Sequence, residues 1–228
     1  MNELDPRQLA ADLTQFGYAV RPMLDPATCQ GLVALYDQAP IFRKRIIMEA
    51  HGYRRGEYQY FAYPLPPVVG DLRAALYVPL AAIANQWRRA LGQDETFPAT
   101  LTGYLDLCHA AGQTRPTPLM LRYAKDGFNC LHQDLYGDLV FPLQAVILLS
   151  DPERDFTGGE FLLVEQRPRA QSKGEVVRLR QGEAAIFPVR ERPVPGARGY
   201  RRVAMRHGVS RVLSGNRHTL GIIFHDAA

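Results

Sequence analysis

The first residues that could carry chemistry in this chain are a histidine and an aspartate two positions apart, His132 and Asp134. On a β-strand this spacing points both side chains to one face, while Gln133 between them points to the other. An imidazole and a carboxylate on one face can bind a single metal ion. His-x-Asp also occurs by chance, with the histidine simply a surface or hydrogen-bonded residue, so the pair alone is a weak signal.

A third candidate ligand, His207, strengthens the metal hypothesis. Two histidines and one carboxylate can occupy one face of an octahedron and leave three positions open. This arrangement is typical of non-haem Fe(II) sites that use O₂ and a chelating co-substrate. We therefore predict that His132, Asp134 and His207 are the metal ligands and form the catalytic centre.

Arg217, which follows His207 closely, gives the site a second anchor. A dicarboxylate that chelates the metal at one end presents a free carboxylate at the other, and a guanidinium can bind that carboxylate through two hydrogen bonds. Gly215 predicts a tight turn that places Arg217 on a strand antiparallel to the strand of His207. Thr219 shares the face of Arg217, and we expect its hydroxyl to donate to the same carboxylate.

The C-terminal motif His-x-Val-x-x-Val-x-x-Gly-x-Arg consists of His207, Val209, Val212, Gly215 and Arg217. It resembles the signature of the 2-oxoglutarate- and Fe(II)-dependent dioxygenases of the prolyl-hydroxylase type.

Two upstream segments support this resemblance. The stretch from Leu121-Arg-Tyr123 through Gly127 to Leu131-His-Gln-Asp134 is similar to the approach to the first ligands in that superfamily, and Leu-His-Gln-Asp also resembles the AlkB-type nucleic-acid dealkylases. Residues 156–160 are similar to the turn and strand that these enzymes place between their ligands. AlkB-type enzymes have a second arginine where this chain has Ile223.

The superfamily resemblance covers about residues 118–226, and the whole chain resembles a family of bacterial oxygenases described as acting on damaged DNA. It implies a double-stranded β-helix, or jelly roll, with Fe(II) at one mouth. It further implies that O₂ converts 2-oxoglutarate to succinate and CO₂ while a C–H bond is hydroxylated or an alkyl group is removed. Tyr123 is then a candidate to hydrogen-bond 2-oxoglutarate, with a packed core tyrosine as the alternative.

The elements that must position these residues fall into two regions. Asp5-Pro6 and Asp25-Pro26 predict the starts of two helices, and apolar spacing predicts a third helix over residues 71–91 that contains Pro79. Residues 56–67, rich in aromatic residues and proline, predict an irregular cover.

From about residue 118 the pattern changes to short apolar or alternating runs separated by Gly, Pro and Asp, which predict a β sandwich or barrel. These runs are 119–123, 139–149, 160–165, 176–179, 184–189, 203–209 and 219–224. We predict an α+β protein with a mainly β core, a cupin-like jelly roll with supporting N-terminal helices. It forms one domain over residues 1–228, with 1–117 as the support and 118–226 as the catalytic core.

Composition is typical of a soluble globular protein, with 46% apolar and 22% charged residues. The N-terminus has no signal-peptide pattern, and we expect no membrane span. Cys29, Cys108 and Cys130 form no C-x-x-C pair, so neither disulfides nor a zinc site are indicated. We expect a cytoplasmic protein.

The charge is unevenly distributed, because residues 166–217 contain 13 lysines and arginines against three acidic residues. Such a segment predicts either an anionic partner such as nucleic acid or a solvated basic surface. Residues 190–202, just before the strand of His207, predict a long loop that closes over substrate.

Several alternatives remain open at this point. The oxygenase could act on modified nucleic acid, on a protein side chain of the prolyl type, or on a small molecule. A cupin-like protein that only binds a metal or ligand is a different class, although it would not need Arg217. A third class is a nucleic-acid-binding module that uses the basic segment alone.

Two further polar side chains lie near the candidate site in sequence. His218 is expected on the face of its strand opposite to Arg217, and Gln144 either faces the active site or caps the backbone.

Overall fold

The computed structural model describes residues 4–51, 54–152, 154–167, 169–197 and 199–228. Within that part the α-helices are α1 (Pro6–Gln15), α2 (Pro26–Leu35), α3 (Pro67–Ala90) and α4 (Leu101–Ala110). The first two begin as predicted, since the carboxylates of Asp5 and Asp25 accept hydrogen bonds from backbone N–H groups of the first turn. A proline follows each cap.

The longest helix, α3, begins at Pro67, ahead of the predicted start, and continues through Pro79. Its predicted apolar positions, such as Leu72 and Leu76, are buried. Among the described helices only α3 is long and apolar enough to cross a membrane, yet half of its most apolar stretch is buried inside the protein. Its buried side chains belong to the main hydrophobic core.

The described residues form fourteen strands. The strands from the first half of the chain are β1 (Ala19–Pro22), β2 (Phe42–Ile47), β3 (Arg54–Arg55) and β4 (Glu57–Phe61). The later strands are β5 (Leu119–Ala124), β6 (Phe128–His132), β7 (Leu143–Leu148), β8 (Phe156–Gly158), β9 (Phe161–Gln166), β10 (Lys173–Val177), β11 (Glu183–Pro188), β12 (Glu191–Gly196), β13 (Gly199–Val209) and β14 (Val212–Ile222). The seven predicted runs correspond to β5, β7, β9, β10, β11, β13 and β14.

The strands build two antiparallel sheets. The larger has the order β1-β11-β7-β14-β5-β4-β2, and β8 also pairs with β14. The smaller has the order β10-β9-β13-β6-β3, and β12 also pairs with β13. Facing antiparallel sheets with supporting helices form a jelly roll, as predicted.

Two predictions about irregular segments are wrong. Part of residues 56–67 forms β4, which pairs with both β2 and β5, because the prolines of this segment follow the strand and leave its ladder intact. Most of residues 190–202 forms the hairpin of β12 and β13, in register from Glu191 opposite Ala204 to Gly196 opposite Gly199. The prolines in β12 suggested a loop, but among the described strands β12 pairs with β13 alone, and proline is tolerated on such an edge strand.

Hydrophobic side chains pack in two layers. The main core lies between the helices and the outer face of the larger sheet, where Leu76 of α3 joins Leu220 of β14. A second core lies between the two sheets and contains Phe161, Phe187 and Val209. Because side chains alternate along a strand, the face of β14 opposite Leu220 points between the sheets. That interior holds the site.

A buried ion pair ties α3 to the end of the chain. Arg73 is 1% exposed, and its guanidinium lies 2.8 Å from the carboxylate of Asp226. It also donates to the carbonyls of Ile223 and Phe224, directly after β14. Tyr63 and His109 complete the contacts of the Asp226 carboxylate. This network fixes the end of β14 against the helices.

Replacement of Arg73 by alanine is expected to lower the free energy of unfolding by about 3–5 kcal/mol, because the buried carboxylate of Asp226 loses its cation. Urea unfolding measures this loss. Arg202→Ala is the matched control, since it removes an exposed ion pair with Glu191 and should cost less than about 1 kcal/mol. Similar losses in the two variants would contradict a stabilising role for the buried pair.

Candidate active site

The two histidines of the candidate site face each other across neighbouring strands. His132 ends β6, and the antiparallel register places it directly opposite His207 of β13. The centroids of the two imidazole rings are 4.2 Å apart. Direct cross-strand pairs are the closest side-chain neighbours in a sheet, so the pairing of β6 with β13 accounts for this contact.

A β-bulge next to this pair sets the direction of the β6 side chains. His207 lies opposite His132, but Val209 lies opposite Asn129, so three steps along β6 match two along β13. In a regular strand Asn129 and His132 would point to opposite faces, yet both line the same cavity. Gly208 lies at the bulge, where a Cβ atom would be 2.6 Å from the carbonyl oxygen of Asn129. Only glycine allows this close approach.

Asp134 completes the cluster from a loop. The prediction that His132 and Asp134 share a strand is wrong, because β6 ends at His132. The Asp134 carboxylate nevertheless lies 3.0 Å from Nε2 of His207 and 3.6 Å from Nε2 of His132. One potential ligand atom from each of the three residues lies within 4.8 Å of the others. The structure thus brings together all three predicted metal ligands.

Local hydrogen bonds and charges prepare these groups for a cation. Nδ1 of His132 lies 2.8 Å from the carbonyl oxygen of Cys130, which can only accept, so Nδ1 carries a proton and Nε2 is the nitrogen available to a metal ion. Burial raises the pKa of Asp134, but the neighbouring His207 and His132 outweigh this and hold the pKa well below its usual range. Tyr136 donates to the same carboxylate at 2.8 Å. Two imidazole nitrogens and an ionised carboxylate fit a divalent transition metal.

Arg217 of β14 is a buried cation that forms no ion pair with a carboxylate among the described residues. It is 2% exposed, and among the described residues its Nε and Nη1 atoms have no hydrogen-bond partner. The rings of Tyr123 and Phe156 lie 5.9 Å from the guanidinium carbon. Burial lowers the pKa of Arg217 to about 10, so the group stays charged at neutral pH. An uncompensated buried charge is costly, which indicates a site for an anion.

One cavity joins the cluster to Arg217. It lies between the sheets, and its lining includes all six predicted site residues: His132, Asp134, His207, Arg217, Thr219 and Tyr123. Thr219 is buried beside Arg217 on the same face of β14. The hydroxyl of Tyr123 accepts a hydrogen bond from Asn129 at 3.2 Å.

Gln144 and Asn129 add two buried carboxamides to the cavity wall. Nε2 of Gln144 and Oδ1 of Asn129 have no hydrogen-bond partner among the described residues. Gln144 therefore lines the candidate cavity, one of the two positions expected for it. Sequence reasoning missed Asn129 and Tyr136. Asn129 would point away from His132 without the bulge, and no motif marks the loop that brings Tyr136 to Asp134.

The remaining histidines near the C-terminus lie elsewhere. His218 is on the opposite face of β14 from Arg217, as predicted, and its ring contacts Tyr36. Nδ1 of His225 accepts from the backbone N–H of Phe141. The predicted turn at Gly215 is wrong, because Gly215 lies inside β14 and the chain reverses at residues 210–211. Strands β13 and β14 belong to different sheets, so they do not pair with each other.

Comparison with known proteins identifies the family to which this chain belongs. Residues 56–227 match a family described as "Oxygenase, catalysing oxidative methylation of damaged DNA". Uncharacterized proteins from two strains of Mycobacterium tuberculosis are each 54% identical over 175 residues, which are 77% of this chain and 75% of each relative. The family resemblance predicted from the sequence is thereby confirmed.

Solved structures show the same fold. A prolyl-4-hydroxylase from Pseudomonas putida superposes with a TM-score of 0.58 at 15% identity, covering 98% of this chain and 100% of that chain. An oxidoreductase of the 2OG-Fe(II) oxygenase family from Burkholderia pseudomallei gives 0.54 at 19% identity, covering 100% and 95%. At these identities the likeness concerns the fold alone.

The buried histidines make stability depend on pH. Burial lowers the pKa of His225 to about 4 from its ordinary 6.5, so between these values the unfolded chain binds a proton that the folded protein excludes. The free energy of unfolding therefore falls as the pH drops from 6.5 to 4, by up to about 1.4 kcal/mol per pH unit for this residue. In His225→Asn, urea unfolding at pH 7 and 4.5 should show a smaller difference than in the wild type. An unchanged difference would contradict burial of a neutral histidine.

Proposed function

Since this chain belongs to the family of oxygenases described as catalysing oxidative methylation of damaged DNA, we propose that it is an Fe(II)- and 2-oxoglutarate-dependent dioxygenase. In this proposal His132, Asp134 and His207 hold the iron. Arg217 binds 2-oxoglutarate, flanked by Thr219.

One observation carries the proposal: three potential metal ligands and a buried guanidinium without an ion pair among the described residues line the same cavity. A metal site alone needs no buried arginine, and a cupin-like binding protein would gain nothing from this costly charge. A dicarboxylate that chelates a metal satisfies both groups, because its distal carboxylate pairs with the guanidinium. This requirement favours an oxygenase with a dicarboxylate co-substrate over simple metal binding.

The chain itself supplies binding, orientation and shielding from water. His132 and His207 act as neutral ligands and Asp134 as the anionic one, so the protein compensates part of the metal charge. The Phe187 and Phe161 rings lie 4.9 and 6.1 Å from the His207 ring and keep that side of the cavity apolar. When bound, Fe(II) with O₂ and 2-oxoglutarate supplies the oxidation of a C–H bond, with succinate and CO₂ as products. Tyr123 lies directly opposite Arg217 in the pairing of β14 with β5, which supports a contact with the co-substrate.

Modified or damaged nucleic acid is the substrate class that we propose. The family description names damaged DNA. Strand β13 carries His207 and also the exposed Arg201 and Arg206, which have no ion pair among the described residues. Unpaired surface arginines near a catalytic centre can contact phosphates. Hydroxylation of an alkyl carbon on a base nitrogen would release that carbon as an aldehyde, so oxidative dealkylation is the expected reaction.

The Arg217→Met variant should separate co-substrate binding from metal binding. Loss of a buried charge-assisted pair is expected to weaken 2-oxoglutarate binding by about thirty-fold or more, about 2 kcal/mol, with the metal affinity unchanged. Asp134→Ala is the matched variant and should lose metal binding. Calorimetric titration with Fe(II) under anaerobic conditions, then with 2-oxoglutarate, measures both affinities. Unchanged 2-oxoglutarate affinity in Arg217→Met would overturn the role of this arginine.

The substrate class is tested by stimulated turnover. Alkylated oligonucleotides should increase 2-oxoglutarate consumption above the rate without substrate, and this stimulation should weaken as salt rises because phosphate contacts are screened. Proline-containing peptides and free amino acids serve as comparison panels, with succinate formation as the readout. Stimulation by peptides alone would replace the nucleic-acid proposal with a protein hydroxylase.

A further inference from the structure

Arg217 lines a second pocket, which opens to the protein surface. This pocket lies between residues 157–160, from the end of β8 to the start of β9, and residues 177–180, at and just after the end of β10. Phe156 and Arg217 form part of its wall. The guanidinium side chain therefore separates the interior cavity from an outside pocket.

The charges of this outer pocket favour a small anion. Arg178 and Arg180 line it, both are exposed, and neither has an ion pair among the described residues. Among the described residues that line this pocket, Glu160 is the only one with a carboxylate. The hydrogen bond from Ser210 is the main reason that the pKa of Glu160 is lowered, and the charges of Arg178 and Arg217 contribute. Three guanidinium groups thus face one carboxylate.

On the side of the outer pocket, Arg217 is covered by Gly159, which has no side chain. Gly159 has a φ of 62°, and a Cβ atom there would lie 2.9 Å from Cδ of Arg217. A larger residue would therefore press against the arginine, and its backbone conformation would be strained. Because position 159 lacks a side chain, the outer pocket extends to the arginine itself.

The two ends of the inner cavity differ in their exposure to solvent. The side chains of His132 and Asp134 are 16% and 14% exposed, whereas Arg217 is 2% exposed. Solvent thus reaches the cavity mainly at the end with the metal-binding cluster. A dicarboxylate that enters there must pass the cluster before it reaches the guanidinium, and that end must also receive the primary substrate. The outer pocket reaches Arg217 without crossing the cluster.

We propose that the outer pocket, defined by Gly159, Glu160, Arg178 and Arg180, is a side entrance at which a dicarboxylate docks before pairing with Arg217. Its ligands are 2-oxoglutarate on the way in and succinate on the way out. Arg178 and Arg180 attract the dianion by long-range charge, and local rotation of the Arg217 side chain admits it. This inference rests on the proposed function, since it assumes that Arg217 binds the co-substrate.

Charge reversal at the side entrance provides the test. In Arg178→Glu/Arg180→Glu, the association rate constant of 2-oxoglutarate with the Fe(II)-loaded protein should fall about ten-fold or more at low salt, and the difference should shrink at high salt. Anaerobic stopped-flow spectroscopy measures this rate without catalytic turnover. The charge-preserving Arg178→Lys/Arg180→Lys should retain most of the wild-type rate.

A matched control changes the same net charge elsewhere. Arg7 and Lys44 are exposed and line none of the described pockets, so Arg7→Glu/Lys44→Glu should alter the association rate less than two-fold, roughly the residual effect of net charge. Equal slowing in both double variants would overturn the side entrance. Wild-type protein that binds Fe(II) but no 2-oxoglutarate would instead contradict the proposed function.

Discussion

The unsatisfied charge of Arg217 is the constraint on which the functional account depends. The fold encloses this guanidinium between the rings of Tyr123 and Phe156 and offers its Nε and Nη1 atoms no acceptor among the described residues. Stability alone would favour an apolar side chain at such a position. The cost becomes understandable if a carboxylate from a ligand completes the site, because the favourable pairing then appears only in the loaded protein.

Each of the two sheets carries one part of the proposed ligand-binding site. The smaller sheet carries both histidines, and the larger sheet carries Arg217 and Thr219. Packed sheets are separated by about 10 Å, a gap that a metal ion together with a short dicarboxylate can bridge. The jelly roll therefore places the candidate metal ligands and the buried guanidinium of Arg217 on opposite walls of one cavity.

Much of this site was predictable because it follows from alternation along single strands. The side chains of Arg217 and Thr219 point one way and that of His218 the other, as period-two geometry requires. Features that depend on partner strands were not predictable. The bulge that turns Asn129 into the cavity exists only in the pairing of β6 with β13, and the prolines of β12 are tolerated only because that strand lies at an edge. Asp134 reaches the cluster from a loop, whose course no periodicity reveals.

The most direct measurement of the central claim compares two ligands that differ only in the distal carboxylate. Calorimetry of Fe(II)-loaded protein under anaerobic conditions should show that 2-oxoglutarate binds at least about thirty-fold more tightly than 2-oxobutyrate, because only the former can pair with the buried guanidinium. Removal of the metal should weaken the binding of both ligands. Equal affinities for the two acids, or 2-oxoglutarate binding that does not depend on metal, would contradict a site built from a metal centre and a carboxylate anchor.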